Sequence, residues 1–219
     1  MADIHAFLDR VLIEGLQRTN RYRCKLDLTQ FGNFAAGRRL TANLPKAAAL
    51  LREGLLCRTS MTPSRTLETT NVNLAGGYEE TYAVGTTYNN LDCTFLCPLI
   101  DDTNQVLTLF HAWQNLIQNR GKVGEDANMV LTFPSEYRLE QGLRVELFSG
   151  QADRESRMTQ GPLRDVGPEI TTAFEYFDVY PVTVSGTTVD WLTLDEMMEV
   201  AVTFSYTHWQ QVKDGDLNS

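Results

Sequence analysis

Three histidines, His5, His111 and His208, are the only imidazoles in the chain, and none stands at a helical or loop spacing from two further ligands. No zinc or iron centre is expected from them. His111 follows Phe110 directly and reads as a surface or subunit contact rather than a base. The thiols are Cys24, Cys57, Cys93 and Cys97. A reducing compartment favours free thiols, and buried cysteine behaves as a small hydrophobe. Cys93 and Cys97 lie four apart along an expected strand, which separates them by roughly 13 Å, too far to bridge each other. Disulfides from any of these four cysteines to other strands, or between subunits, stay open in a particle released into oxidising surroundings. No serine sits in a nucleophile-elbow context, and no cysteine has a neighbouring motif that would lower its pKa. Gly76-Gly77 lacks the lysine and serine or threonine of a phosphate loop. The acid pairs Glu79-Glu80, Asp101-Asp102 and Asp195-Glu196 stand in polar stretches where carboxylates are mostly solvated. The residues therefore assign no catalytic group, no metal and no cofactor.

The charge points the same way. With 28 acidic against 19 basic side chains, the 219-residue chain carries a formal charge of −9, which repels phosphate and argues against a dedicated nucleic-acid binder. The same sign suits a surface past which DNA must slide without sticking. Hydrophobic residues make up 42 % of the chain, enough for a genuine core. No secretory signal is visible at Met1 to His5, and no stretch is long enough to span a bilayer, so a soluble protein made in a cytoplasm is expected.

The elements that would position these residues follow from periodicity. Ile4, Phe7, Leu8, Val11, Leu12 and Leu16 draw an apolar stripe, predicting a helix within residues 1–19 that opens at Asp3. Tyr22, Cys24, Leu26 and Leu28 alternate with Arg23, Lys25 and Asp27 as a half-buried strand. Residues 30–54 read as an insertion: a polar loop, then a short helix with Pro45 in its first turn and Gly54 at its exit. Strands resume over 55–61 and 65–74, Gly76-Gly77 marks a loop or hairpin tip, and Gly85 a second bend.

Leu91, Cys93, Phe95, Cys97 and Leu99 share one strand face until Pro98 ends the run. Asp101 or Asp102 is placed to cap a helix whose apolar side is Val106, Leu109, Phe110, Trp113, Leu116 and Ile117. Short strands are expected at 129–133 and 144–148, and a long exposed loop at 149–168. The alternation from Ile170 to Val184 predicts a strand that Pro181 interrupts. Phe174, Tyr176, Phe177 and Tyr180 lack interleaved basic residues, so they read as sheet packing rather than base stacking. Met198, Val200, Val202, Phe204 and Tyr206 line the last strand, which Trp209 closes, and 210–219 reads as a flexible tail. The sum is a single α+β domain, mainly antiparallel β.

The order of these elements resembles the tail tube proteins of contractile-tailed bacteriophages, whose fold is shared with baseplate tube initiators and type VI secretion tubes. The resemblance runs from about Asn20 to Trp209. It rests on the Leu91 to Leu99 strand leading into Phe110-His111-Ala112-Trp113-Gln114, on Phe177-Asp178-Val179-Tyr180-Pro181-Val182, and on Leu194-Asp195 ahead of Val200 to Trp209. It implies a barrel-like β-sandwich with flanking helices and long hairpins, assembled as a homohexameric ring whose hairpins join into one lumen barrel. Rings would stack, a sheath would surround them, and baseplate or tail-terminator proteins would complete a virion tail through which DNA passes without specific binding. Assembly in the host cytoplasm, with no membrane anchor, follows. A baseplate tube initiator or adaptor ring is the rival of the same fold. An enzyme or ligand-binding domain using the Gly76 to Gly85 region or the 149–168 loop would instead need a deep pocket with convergent polar groups.

Overall fold

The computed structural model describes residues 21–33, 40–74, 77–118, 131–148, 170–186 and 197–212. The expected helix at 4–16, the 149–168 loop and Leu194-Asp195 lie outside them. In chain order the strands are β1 (Tyr22–Leu26), β2 (Cys57–Thr59), β3 (Arg65–Leu74), β4 (Tyr78–Tyr88), β5 (Leu91–Leu96), β6 (Leu143–Phe148), β7 (Ile170–Phe177), β8 (Tyr180–Val184), β9 (Glu199–Ser205) and β10 (His208–Gln211). Helix α1 (Pro45–Glu53) precedes β2, while α2 (Gln105–Ile117) and the short α3 (Pro134–Tyr137) lie between β5 and β6. Among the described residues no helix is long and apolar enough to cross a membrane.

Among the described residues the strands pair antiparallel throughout, in two four-stranded sheets of order β1-β6-β7-β10 and β2-β5-β9-β8, plus a separate two-stranded ribbon of β3 and β4. Period-two alternation explains the pairing of the second sheet. Leu91, Cys93 and Phe95 on β5 and Val200, Val202 and Phe204 on β9 are buried, and the two strands run in register from Leu91 opposite Phe204 to Leu96 opposite Glu199. The first sheet meets this face with Cys24, Leu26, Leu143, Val145 and Tyr176, so the two sheets share one core. Helix α2 drives Val106, Leu109, Phe110 and Trp113 into that core. Phe110 lies 5.1 Å from Phe95 and 6.1 Å from Phe204, ring centre to ring centre. Trp113 is fully buried, meets Phe31 edge-on at 5.0 Å, and donates its indole N–H to the Tyr137 carbonyl at 2.9 Å. The architecture is thus α+β and mainly antiparallel, as the sequence predicts.

Several local expectations are corrected. The run from Ile170 to Val184 is two strands in different sheets: Asp178, in the left-handed region at φ 57°, redirects the chain from β7 to β8. Pro181 then sits on β8, an edge strand, where its missing N–H leaves few ladder bonds unmade. The last strand divides likewise, and β10 crosses back to pair with β7 after Tyr206 and Thr207. Gln210 and Gln211 belong to β10, and the Val212 amide donates to the Ala173 carbonyl at 2.9 Å, so ordered pairing reaches into the segment expected as a tail. Residues 131–133 are not a strand, because Thr132 turns its amide onto the Ile117 carbonyl and Pro134 opens α3. Asn104, not Asp101 or Asp102, caps α2, accepting from the Leu107 amide at 3.1 Å. The two aspartates instead make the preceding turn at φ 50° and 59°, and Asp101 holds Lys46 at 2.6 Å. Leu99 is 76 % exposed because β5 stops at Leu96. Phe31, Leu40, Ala47 and Leu51, from the segment expected as an insertion, all lie in the central core.

Candidate functional site

The ribbon of β3 and β4 is the feature that the rest of the domain does not account for. Ten residues at about 3.4 Å each make an arm roughly 34 Å long. Its register runs from Arg65 opposite Tyr88 to Leu74 opposite Tyr78, with Gly77 at φ 80° supplying the left-handed step of the tip. Gly85 does not end the strand. It lies within β4 opposite Glu68, where the register shifts by a bulge and a Cβ would come within 3.0 Å of the Glu68 carboxylate.

Every described side chain of β4 is exposed except Gly85 and Tyr88. An isolated two-stranded hairpin is marginal in water, and a long free edge is a template for further pairing. The composition makes this sharper. Leu67, Val72, Tyr78, Tyr82 and Val84 are 55 %, 42 %, 77 %, 45 % and 64 % exposed, a density of solvent-facing apolar groups that marks an interaction surface. Register places Val72 opposite Glu80 and Thr70 opposite Tyr82 on one face, with Thr69 opposite Ala83 and Asn71 opposite Thr81 on the other. The second face is the more polar, and there Thr81 donates to the Asn71 side chain at 2.9 Å.

The arm is acidic: Glu68, Glu79 and Glu80 stand against the single base Arg65. Two of the carboxylates accept locally, Glu80 from the Tyr82 hydroxyl and Glu68 from the Thr87 hydroxyl. The bond to Glu80 holds the Tyr82 phenol above its ordinary range. Arg65 lies at the root, its guanidinium 5.9 Å from the Trp209 ring centre, and Tyr88 packs 6.0 Å from Tyr206. The root is therefore anchored to the sandwich while the rest of the arm projects.

Within the sandwich three thiols converge. Cys24 on β1, Cys57 on β2 and Cys93 on β5 bring their sulfurs within 4.8 Å of one another, across the seam where the two sheets meet. All four cysteines are free thiols; Cys24, Cys93 and Cys97 are buried and Cys57 is half-buried. Ser60, between β2 and β3, places its hydroxyl 3.4 Å from the Cys93 sulfur. Hydrogen bonding to Cys57 and Cys93, then burial, pushes the Cys24 thiol well up. Cys57 is lowered by its bond with Cys24 but raised on balance by Cys93 and burial. Bonds from Cys24 and Cys57 hold Cys93 well below the usual thiol range. Histidine spacing gave no hint of this cluster.

The remaining candidates disperse. His111 is exposed on α2, His208 stacks on Phe177 at 4.4 Å, and His5 lies outside the described residues. Phe174 meets Trp209 edge-on at 5.6 Å and Tyr180 meets Tyr137 at 5.4 Å, so the aromatic run is sheet packing.

A chain from the extended sheath–tube complex of PVC, an extracellular contractile injection system, has a similar fold, with a TM-score of 0.51 and 8 % identity over 93 % of this chain and 96 % of that one. A chain from the PVC sheath/tube terminator gives 0.49 and 7 % identity over 92 % and 99 %, respectively. One from the anti-feeding prophage cap gives 0.48 and 9 % identity over 90 % and 91 %. No curated protein matches the chain. A family model described as phage tail tube protein matches residues 17–212.

Proposed function

Because the chain belongs to the phage tail tube protein family, we propose that it forms stacked homohexameric rings of a contractile phage tail tube, the conduit for genome ejection into the host. The chain is a structural, tube-forming protein and not an enzyme. The exposed β3–β4 ribbon is the observation that carries the finer reading. Its edges, unpaired among the described residues, and its apolar side chains are satisfied when ribbons of sister subunits pair edge to edge into a closed barrel, which leaves no free edge. The acids Glu68, Glu79 and Glu80 would then set a negative field along the channel, over which DNA moves without being gripped. Sheath, baseplate and tail-terminator proteins are the expected neighbours, with the virion tail as the final location and the host cytoplasm as the place of assembly.

Negative-stain imaging of the purified full chain tests this. Long open tubes of six-fold rings support the repeating tube. Single closed rings that do not stack favour an initiator or adaptor ring instead, and a solitary compact species at every concentration refutes assembly.

A further inference from the structure

We propose that Cys24, Cys57 and Cys93 form a three-thiolate site for a soft d10 metal ion, with zinc as the expected occupant. The proposal is independent of the tube reading, since the site lies within one subunit. The three sulfurs come from three strands distant in sequence and are within 4.8 Å of one another. Zinc–thiolate bonds of about 2.3 Å in tetrahedral geometry put ligand sulfurs about 3.8 Å apart, so the cluster needs to contract by no more than about 1 Å to enclose the ion. A disulfide between any two would demand a separation of about 2.05 Å and leave the third thiol over. The donor set is all sulfur, which selects zinc or copper(I) over magnesium or calcium. Three thiolates leave one net negative charge around zinc but two around copper(I), and the smaller residual charge is the easier to keep in a largely buried place.

The surroundings fit a largely buried centre with three protein ligands and one open position. Cys24 and Cys93 are 1 % exposed, and the Ser60 hydroxyl, 3.4 Å from the Cys93 sulfur, stands where it or a water it holds could complete four-coordination. The Tyr22 hydroxyl donates to the Cys57 carbonyl at 3.4 Å and to the Arg58 carbonyl, fixing the strand that carries the exposed edge of the site. An ion here would tie β1 of one sheet to β2 and β5 of the other.

The test uses the purified full chain, reduced and stripped with chelator, then titrated with Zn2+ and, as a spectroscopic probe, Co2+. We expect one zinc per chain by elemental analysis, a sulfur-to-cobalt charge-transfer band with tetrahedral d–d bands, and a rise in Tm on adding zinc that chelator reverses. Cys24→Ser, Cys57→Ser and Cys93→Ser should each abolish the cobalt–thiolate band or cut it to a small fraction, while Cys97→Ser keeps it. Circular dichroism of Cys57→Ser, the substitution nearest the surface, separates loss of the site from loss of the fold. A reduced, folded wild-type chain that takes up neither metal overturns the proposal. So does a Cys97→Ser variant that loses the band while remaining folded, or a chelator-treated native chain whose mass shows a disulfide among the three cysteines.

Discussion

Replacing Leu67, Val72 and Val84 together by threonine should uncouple folding from assembly. The three side chains are 55 %, 42 % and 64 % exposed, so together they hold rather more than one and a half side chains' worth of apolar burial still to be gained. At about 1.5–3 kcal/mol for each fully buried aliphatic side chain, that is roughly 2–5 kcal/mol per subunit if contact with sister molecules completes the burial. The association constant per subunit should then fall by between about 30-fold and a few thousand-fold. Threonine supplies the β-branching that strands favour, and each position is already about half open to solvent in the subunit, so monomer stability should move by much less than assembly does. Sedimentation velocity across a concentration series reads the first quantity and urea unfolding of the monomer the second. A variant that assembles at the wild-type concentration would refute the reasoning. One that loses its fold in step with its assembly would show that the ribbon serves the monomer instead.

Three further outcomes follow from the packing. Trp113→Ala should cost about 3–5 kcal/mol and Trp113→Phe about 1–3 kcal/mol, the latter because the half-buried Tyr137 carbonyl loses its indole donor while most ring contacts remain; chemical denaturation ranks them. Gly54→Ala should lower Tm and cost about 1–3 kcal/mol, since Gly54 closes α1 at φ 73° and a Cβ would lie 2.5 Å from Arg23 Cγ and 2.9 Å from the Cys24 carbonyl. Burial, then the neighbouring Cys57, Cys24 and Cys93, pushes the Tyr22 phenol up to about 12 from its ordinary 10.0. The folded chain therefore keeps that proton longer than the unfolded one, so this contribution is intact below about pH 10 and lost as pH rises toward about 12. Tyr22→Phe should flatten that fall in urea titrations at alkaline pH.

What the chain made legible were the features set by local period. The alternation of β5 and β9 and the apolar stripe of α2 follow from residues two or three to four apart, and these elements enclose the core as expected. Gly54 ends α1 in the left-handed conformation that only its lack of a Cβ makes easy. The places where reading failed are those decided by distant partners. Nothing local distinguishes a strand that stays in one sheet from one that crosses to another, so β7 with β8, and β9 with β10, read as single runs. Asp101 or Asp102 looked like the cap because aspartate favours that position, but both form the turn before the helix, Lys46 from α1 claims the Asp101 carboxylate, and Asn104 is nearer the first turn. Cys24, Cys57 and Cys93 carry no metal-ligand spacing, because sheet pairing and the meeting of the two sheets bring them together.

The central claim is that the free edges of the ribbon are satisfied by sister molecules, and amide hydrogen exchange over Arg65–Leu74 and Tyr78–Tyr88, below and above the assembly concentration, examines it most directly. The outward-pointing amides of both strands should exchange quickly in the dilute subunit and become strongly protected in the assembled particle. Equal and rapid exchange in both states would contradict the account.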